Sequence, residues 1–245
     1  MAVMVNLKER NLQPEWMDDP GIDPLDHAEA LRGLQRINGL SRAASSLFAP
    51  IRALARRLPD RPLRVLDLAC GGGDNTLALA ELARREGLNI RFDGCDLSVQ
   101  AVAVATGNAV ARGLEANFFK ADALSDPLPG GYDVLLCSLF LHHLETDDAV
   151  GLLRRMAAAT RHLVLVNDLI RSPLGYVLAW SACRLLSRSA IVHYDGPVSV
   201  QGAFQTQEVS AMAIQAGLEG ALVRRCWPER YLLQWSQSDA PGPQG

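Results

Sequence analysis

The stretch VLDLACGGGDNTLALA, residues 65–80, joins an aliphatic run to an alanine- and leucine-rich one through Asp67, Ala69, Cys70 and three consecutive glycines. Strand, glycine turn and helix in that order bring backbone N–H groups close to a ligand at a helix N-terminus. The residues themselves exclude two phosphate-binding versions. Reading from Gly71 gives GGGDNT, which ends in Thr76 where a dinucleotide fingerprint wants Gly or Ala. Asp74 sets a carboxylate where pyrophosphate would lie, a position better suited to capping the helix. No Lys-Ser or Lys-Thr follows the glycines, so a P-loop is ruled out as well. What fits is a ligand without phosphate at the turn, with a cationic amine near Asp67 and a ribose reaching the second strand. Asp96 closes FDGCD about twenty residues beyond the turn, where a carboxylate can accept both ribose hydroxyls. Asp122, in KADAL after the third strand, is placed to accept from an adenine amino group.

S-adenosyl-L-methionine has these three parts, and the sequence resembles the class I S-adenosylmethionine-dependent methyltransferases over residues 60–170. VLDLACGGGDNT is similar to their first motif, with Asp67, Gly71 and Gly73 matching and Ala69 in place of the first glycine. DGCDLS resembles the ribose motif, KADAL the adenine motif, and DVLLCSLFLHHL the fourth-strand motif. The family's Pro-Gly-Gly before the fifth strand is absent, and AAATRH stands there. The resemblance, to the small-molecule ubiquinone/menaquinone-methyltransferase-like type, implies a cofactor site. It is made of Asp67, Ala69, Cys70, Gly71, Gly73, Thr76, Asp96, Leu97, Asp122, Ala123, Ser138 and His143.

Methyl transfer from a sulfonium is an in-line displacement, helped by a dry acceptor pocket because the positive charge disperses in the transition state. The apolar stretch around Trp180 is expected to supply such a wall, and Trp16 and Phe48 are weighed as pocket residues against ordinary core packing. A phenolic acceptor would gain from a general base. Candidates are His142 and His143 just past the fourth strand, and His193, which lies beside Tyr194 and Asp195. The competing readings are backbone or cofactor positioning for the first two and a polar loop anchor for His193. Asp168, ending the fifth strand, either faces the acceptor or caps the segment after it, and His162 reads as surface. No metal is expected.

The elements that must position these residues can be read from the pattern. RVLDLA, IRFDGC, NFFKA, YDVLLCSLF and HLVLVND read as strands, the last two as nearly continuous apolar runs buried on both faces. Helices alternate with them over 75–86 and 99–112, with Ser98 as cap and Gly87 and Gly113 as stops, and then from Thr146 as cap. After residue 171 an apolar helical stretch and a loop HYDGPVSVQGAF interrupt the alternation. A helix over 207–215 and two strands turned at WPE then close the sheet. The fold class is thus α/β: a doubly wound, Rossmann-like, mostly parallel seven-stranded sheet with an antiparallel last strand. It carries an N-terminal helical extension and a helical insertion after the fifth strand. The expected division is residues 1–59 as arm and helical lid, with 1–26 lying on the surface, and 60–235 as catalytic domain. The insertion falls at about 172–205, and 236–245 form a disordered tail.

With 49% hydrophobic and 21% charged residues over 245 positions, the chain can bury a full core. A net charge of −3 offers no positive field for nucleic acid or anionic membrane, and the arginine pairs are dispersed. The sequence also lacks the Asn/Asp-Pro-Pro-aromatic and Pro-Cys segments of nucleic-acid methylation. Five cysteines without CxxC spacing are expected as buried thiols in a reducing, cytoplasmic setting. No signal peptide or membrane span is indicated. The expected enzyme uses S-adenosyl-L-methionine to methylate a small hydrophobic, aromatic or polyketide-like acceptor at oxygen, with a homodimer as the one oligomer considered. Two alternatives stand beside it: a quinone-biosynthesis C-methyltransferase, and a non-catalytic cofactor-binding assembly or regulatory protein.

Overall fold

The computed structural model describes residues 5–19, 21–40 and 43–237. Seven strands form one sheet in the order β3-β2-β1-β4-β5-β7-β6. The strands are β1 (Leu63–Leu68), β2 (Ile90–Asp96), β3 (Ala116–Lys120), β4 (Tyr132–Ser138), β5 (Thr160–Leu169), β6 (Leu222–Cys226) and β7 (Arg230–Ser236). All neighbours pair parallel except β7, which runs antiparallel to both β5 and β6. The doubly wound sheet with an antiparallel last strand is therefore the observed fold.

Burial on both faces explains the apolar strand runs. On one side α2 (Ala43–Arg57) and α3 (Asp74–Arg85) bury Leu47, Ile51 and Leu79 against Val65, Val134 and Leu165. On the other, α5 (Thr146–Ala159) and α8 (Thr206–Gln215) bury Leu152, Met156 and Met212 against Leu135, Val164 and Leu233. α4 (Val99–Arg112) closes the β2–β3 edge through Ala105, Ala109 and Phe118. Ser98 accepts the Ala101 N–H at its start and Gly113 ends it with φ 58°, as the cap and stop residues predict. Two cap readings are corrected. Thr146 is the first residue of α5, whose flanking residue is Glu145. Asp74 is the first residue of α3, with Gly73 at the cap position, and its carboxylate accepts from Gln35 of α1 (Pro24–Leu40) at 2.7 Å and faces Arg112 of α4 at 3.7 Å. α5 also runs directly into β5, where the Thr160 hydroxyl donates to the Asp133 carbonyl at 3.0 Å.

The segment expected as one lid divides in two. α2 belongs to the sheet core, where Phe48 is buried among the strand side chains. α1 instead joins α6 (Pro173–Leu186) and α7 (Ala190–Gly202) in a small helical cluster around Ala30, Cys183 and Val192. The HYDGPVSVQG segment is therefore helix, not loop. Burial of Val192, Val198 and Val200 outweighs the helix-breaking tendency of Gly196-Pro197. Gly196 is required there because a Cβ would overlap the Cys183 sulfur on α6. Gly196→Ala is expected to lower stability by about 1–3 kcal/mol by wedging the two helices apart. Urea unfolding checks this, and Cys183→Ala on the same chain should restore most of the loss.

The arm is tied down as well. Residues 5–15 lie along the surface with Asn6, Lys8, Glu9, Asn11 and Pro14 exposed, but they are anchored: the Arg10 guanidinium donates to the carbonyls of Gly202 (2.6 Å), His142 (3.1 Å) and Leu144 (2.5 Å). It also stacks on Phe204 at 3.9 Å. At the other end, Ser236 is still strand, paired with Leu163, and the rest of the expected tail from 238 onward lies outside the described residues. Among the described residues no helix is long and apolar enough to cross a membrane, and the cysteines are free thiols, three of them buried.

Candidate active site

β1, β2 and β3 lie side by side and parallel, so Asp67, Asp96 and Asp122 come to one rim at their carboxyl ends. Asp67 is buried. Its Oδ2 accepts the Thr76 hydroxyl at 2.6 Å, while its Oδ1 has no hydrogen-bond partner among the described residues. Burial pushes its pKa up to about 7, with the Asp96 charge adding to the rise and the Thr76 hydroxyl opposing it. Asp96 organises the turn, its Oδ2 accepting the Gly71 N–H and its Oδ1 the Ser98 N–H, at 2.8 and 2.9 Å. Asp122 accepts from Leu124 N–H and from the Ser125 hydroxyl, and these donors hold its carboxyl below the usual range.

Two of the glycines differ in purpose. Both Gly71 (φ 53°) and Gly73 (φ 76°) are left-handed. At Gly73 a Cβ would strike Ala105 and Phe118 at 2.9 Å, a packing demand, whereas at Gly71 it would meet open space, room for a ligand. Ala69 takes φ 51°, the region a glycine enters freely and alanine enters at a cost of about 1–2 kcal/mol. The other expected cofactor residues take varied positions. Cys70 is half-buried with burial raising its thiol pKa, Leu97 is exposed beyond Asp96, and Ala123 is buried in the core. Ser138 ends β4 in register with Asn167.

An orphaned buried carboxylate oxygen beside open turn backbone fits a ligand carrying a cationic amine. If that amine is what ionises Asp67, affinity for S-adenosylhomocysteine falls as pH drops below about 7, by up to tenfold per unit, and levels off above it. Calorimetry between pH 5.5 and 8 checks this, and Asp67→Asn should flatten the slope. In the ligand-free chain the sign is opposite for stability. Between about pH 4 and 7 the unfolded chain has released a proton that the folded one keeps, so stability falls as pH rises.

The second part of the site comes after β4, at the short 3-10 turn Leu141–His143. Asp168, buried on β5, accepts the Phe140 and His142 N–H groups on Oδ2, the His142 Nδ1 at 2.7 Å and the Leu169 N–H at 2.7 Å on Oδ1. It therefore positions the turn. Desolvation would lower the His142 pKa, but Asp168 and Glu15 outweigh it and hold the ring protonated well above its ordinary range. Glu15 comes from the arm, its Oε1 3.6 Å from His142 Nε2 and 4.0 Å from His143 Nδ1. These residues border a cavity of about 310 Å³ that Leu12, Pro14, Val198 and Ser199 also line.

His193 stands apart from this cavity lining: its Nε2 meets the Ser187 carbonyl at 2.8 Å, at the turn between α6 and α7. Trp180 is 46% exposed beneath Arg184 and does not wall the cavity, and Trp16 stacks on Tyr194 at 4.2 Å. His162 is half-buried near Asp133. Sequence reading missed Glu15 and Arg10 because the arm has no periodicity. A signal was available: a carboxylate between Pro14 and Trp16 in an otherwise structureless run, with two histidines elsewhere lacking an assigned counter-charge.

Residues 65–162 match the family model described as a methyltransferase domain. The chain is 38% identical over 118 residues to a demethylmenaquinone methyltransferase of Thermus thermophilus, covering 47% of this chain and 52% of that one. It is 29% identical over 168 residues to a ubiquinone biosynthesis O-methyltransferase of Ralstonia nicotianae, covering 66% and 65%. Among solved structures, a magnesium protoporphyrin IX methyltransferase from Synechocystis PCC 6803 superposes with a TM-score of 0.56 at 18% identity, over 90% of both chains. The chain spans about half the length of the first curated relatives it matches. Over residues 65–162 the chain thus matches a methyltransferase domain, and its sheet has the fold of the solved methyltransferase on which it superposes.

Proposed function

We propose that this chain transfers the methyl group of S-adenosyl-L-methionine to a small acceptor, at an oxygen of a phenol-like ring. The observation that carries the donor half is the carboxylate rim, above all the partnerless Oδ1 of buried Asp67 beside the open backbone of Gly71. In this reading Asp67 holds the donor's amine, Asp96 and Leu97 the ribose, Asp122 and Ala123 the adenine, and Ala69, Cys70, Gly71, Gly73, Thr76 and Ser138 shape the turn around it. When bound, the donor supplies an electrophilic methyl on a sulfonium. The chain's own residues orient the acceptor, exclude water and take up a proton.

The acceptor half is supported by a cavity that is apolar at Leu12, Pro14 and Val198 and polar at Glu15, His143 and Ser199. At about 310 Å³ it suits one or two rings with a hydroxyl at the polar end. Methylation at carbon of a quinone precursor is the second reading, favoured by the demethylmenaquinone methyltransferase among the relatives. Incubation with methyl-labelled donor and a panel of phenols, quinones and carboxylates tests both. Label on phenolic oxygen supports the first, and label on ring carbon the second. A chain that binds neither S-adenosylmethionine nor S-adenosylhomocysteine in calorimetry would overturn both in favour of a non-catalytic role.

A further inference from the structure

The polar end of the cavity is built from two separate parts of the chain. His142 and His143 come from the turn after β4, and Glu15 comes from the arm. The Glu15 side chain is 11% exposed, and its Oε1 accepts the Ser199 hydroxyl at 2.5 Å. Burial would raise its pKa, but the two histidines and the Ser199 hydroxyl bring it below its ordinary value, so the group is ionised. We propose that Glu15 is a positioning residue that holds the His143 ring to take a proton from a hydroxyl of the acceptor. The proposal rests on the reading of this chain as a methyltransferase for a hydroxylated acceptor.

The two histidines are not equivalent. His142 has Asp168 on one ring nitrogen at 2.7 Å and Glu15 near the other at 3.6 Å, and its side chain is 5% exposed. A ring between two carboxylates stays protonated and accepts nothing at neutral pH. Its part is to fix Glu15. The side chain of His143 is 27% exposed and lines the cavity.

Charge supports the assignment. The groups facing the pair are Asp168 from β5, His142, Glu145, and Arg10 from the arm, with Arg10 4.0 Å from Glu145. Within the trio Asp168, His142 and Glu15, one negative charge is left over, and it sits on the carboxylate that faces His143. An imidazolium formed on His143 is therefore stabilised by Glu15, as the third member of a nucleophile–base–orienter set stabilises its histidine. In the step itself the acceptor O–H bond breaks, its electron pair stays on oxygen, and an N–H bond forms on the imidazole. The proton passes to water once the product has left.

The test uses the full chain with 4-nitrophenol, whose ionised form absorbs in the visible, and S-adenosylhomocysteine as donor-site probe. Wild-type protein is expected to lower the ionisation midpoint of bound 4-nitrophenol by about one pH unit relative to the free probe. Glu15→Gln should abolish that shift and Glu15→Asp retain part of it, with S-adenosylhomocysteine affinity unchanged in both. In methyl transfer, Glu15→Gln should reduce kcat about tenfold to a hundredfold with little change in KM. A readout independent of 4-nitrophenol is rescue in methyl transfer, where Glu15→Asp should recover part of the kcat lost in Glu15→Gln. An unchanged kcat in Glu15→Gln overturns the proposal even if the probe does not bind. So does one equivalent of tightly held divalent metal in purified protein, since the Glu15, His142 and His143 ligand atoms lie within 4.8 Å of one another. Failure of the wild type to bind S-adenosylhomocysteine would instead remove the methyltransferase reading beneath it.

Discussion

Asp168→Ala is expected to destabilise the fold by about 3–5 kcal/mol, the cost of removing one partner from a buried charged pair. The change leaves the His142 imidazolium without its closest counter-charge and three N–H groups, of Phe140, His142 and Leu169, without their acceptor. For a chain of this size each kcal/mol lowers the melting temperature by roughly 2–4 °C. The loss should depend on pH. The folded pKa of His142 is raised, so its share of the pair is fully present below the unfolded value near 6.5 and fades as pH rises toward the folded one. The folded pKa of Asp168 is lowered, so its share is present above about 4 and is lost as pH falls further. Urea unfolding of wild type and variant at pH 5, 7 and 9 should therefore show a difference that narrows on the alkaline side. A difference that is the same at pH 5 and 9 would contradict a protonated His142.

Asp96→Ala is expected to weaken donor binding by about a hundredfold or more, equivalent to roughly 2.7 kcal/mol. Two effects add. Under the proposed reading the carboxylate accepts the ribose hydroxyls, and in the structure it also ties the Gly71 N–H to the start of α4 through Ser98. Truncation thus removes a ligand contact and relaxes the turn that must stay open. Asp96→Asn separates the two, because an amide oxygen can still accept from one backbone donor. Its loss of affinity should be smaller than that of Asp96→Ala. Calorimetry with S-adenosylhomocysteine measures both, and unchanged affinity in Asp96→Ala would reject the ribose assignment.

The sheet and the donor rim were legible because they are written locally. The first three strands are short runs with an acid at or just past their carboxyl ends, α4 has its own cap and glycine stop, and parallel pairing brings strand ends together without further instruction. Asp67, Asp96 and Asp122 could be placed from strand order alone. The acceptor half was not legible, because its contacts are tertiary. Nothing around Glu15 or Arg10 is periodic, and their partners His142, Ser199 and Gly202 lie more than a hundred residues away in the sequence. α7 was read as loop because Gly196-Pro197 is a local break signal, and the packing of Gly196 on Cys183 that offsets it exists only once α6 is in place. His193 attracted attention because Asp195 stands two residues away. The Asp195 carboxylate instead receives the Trp16 and Met17 N–H groups.

That last pairing links the arm to α7 through Asp195, as do Ser199 on Glu15, the Gln201 carbonyl on the Asn11 N–H and the Gly202 carbonyl on Arg10. Each segment is a mould for the other, so neither can drift alone without leaving buried donors or a stranded anion behind. Under the proposed reading, acceptor preference in such a scaffold is inherited as a matched set. Transplanting residues 5–19 together with 190–202 into a related sheet should carry the preference along, whereas either piece by itself should yield a chain that still binds the methyl donor but has no defined appetite for what receives it.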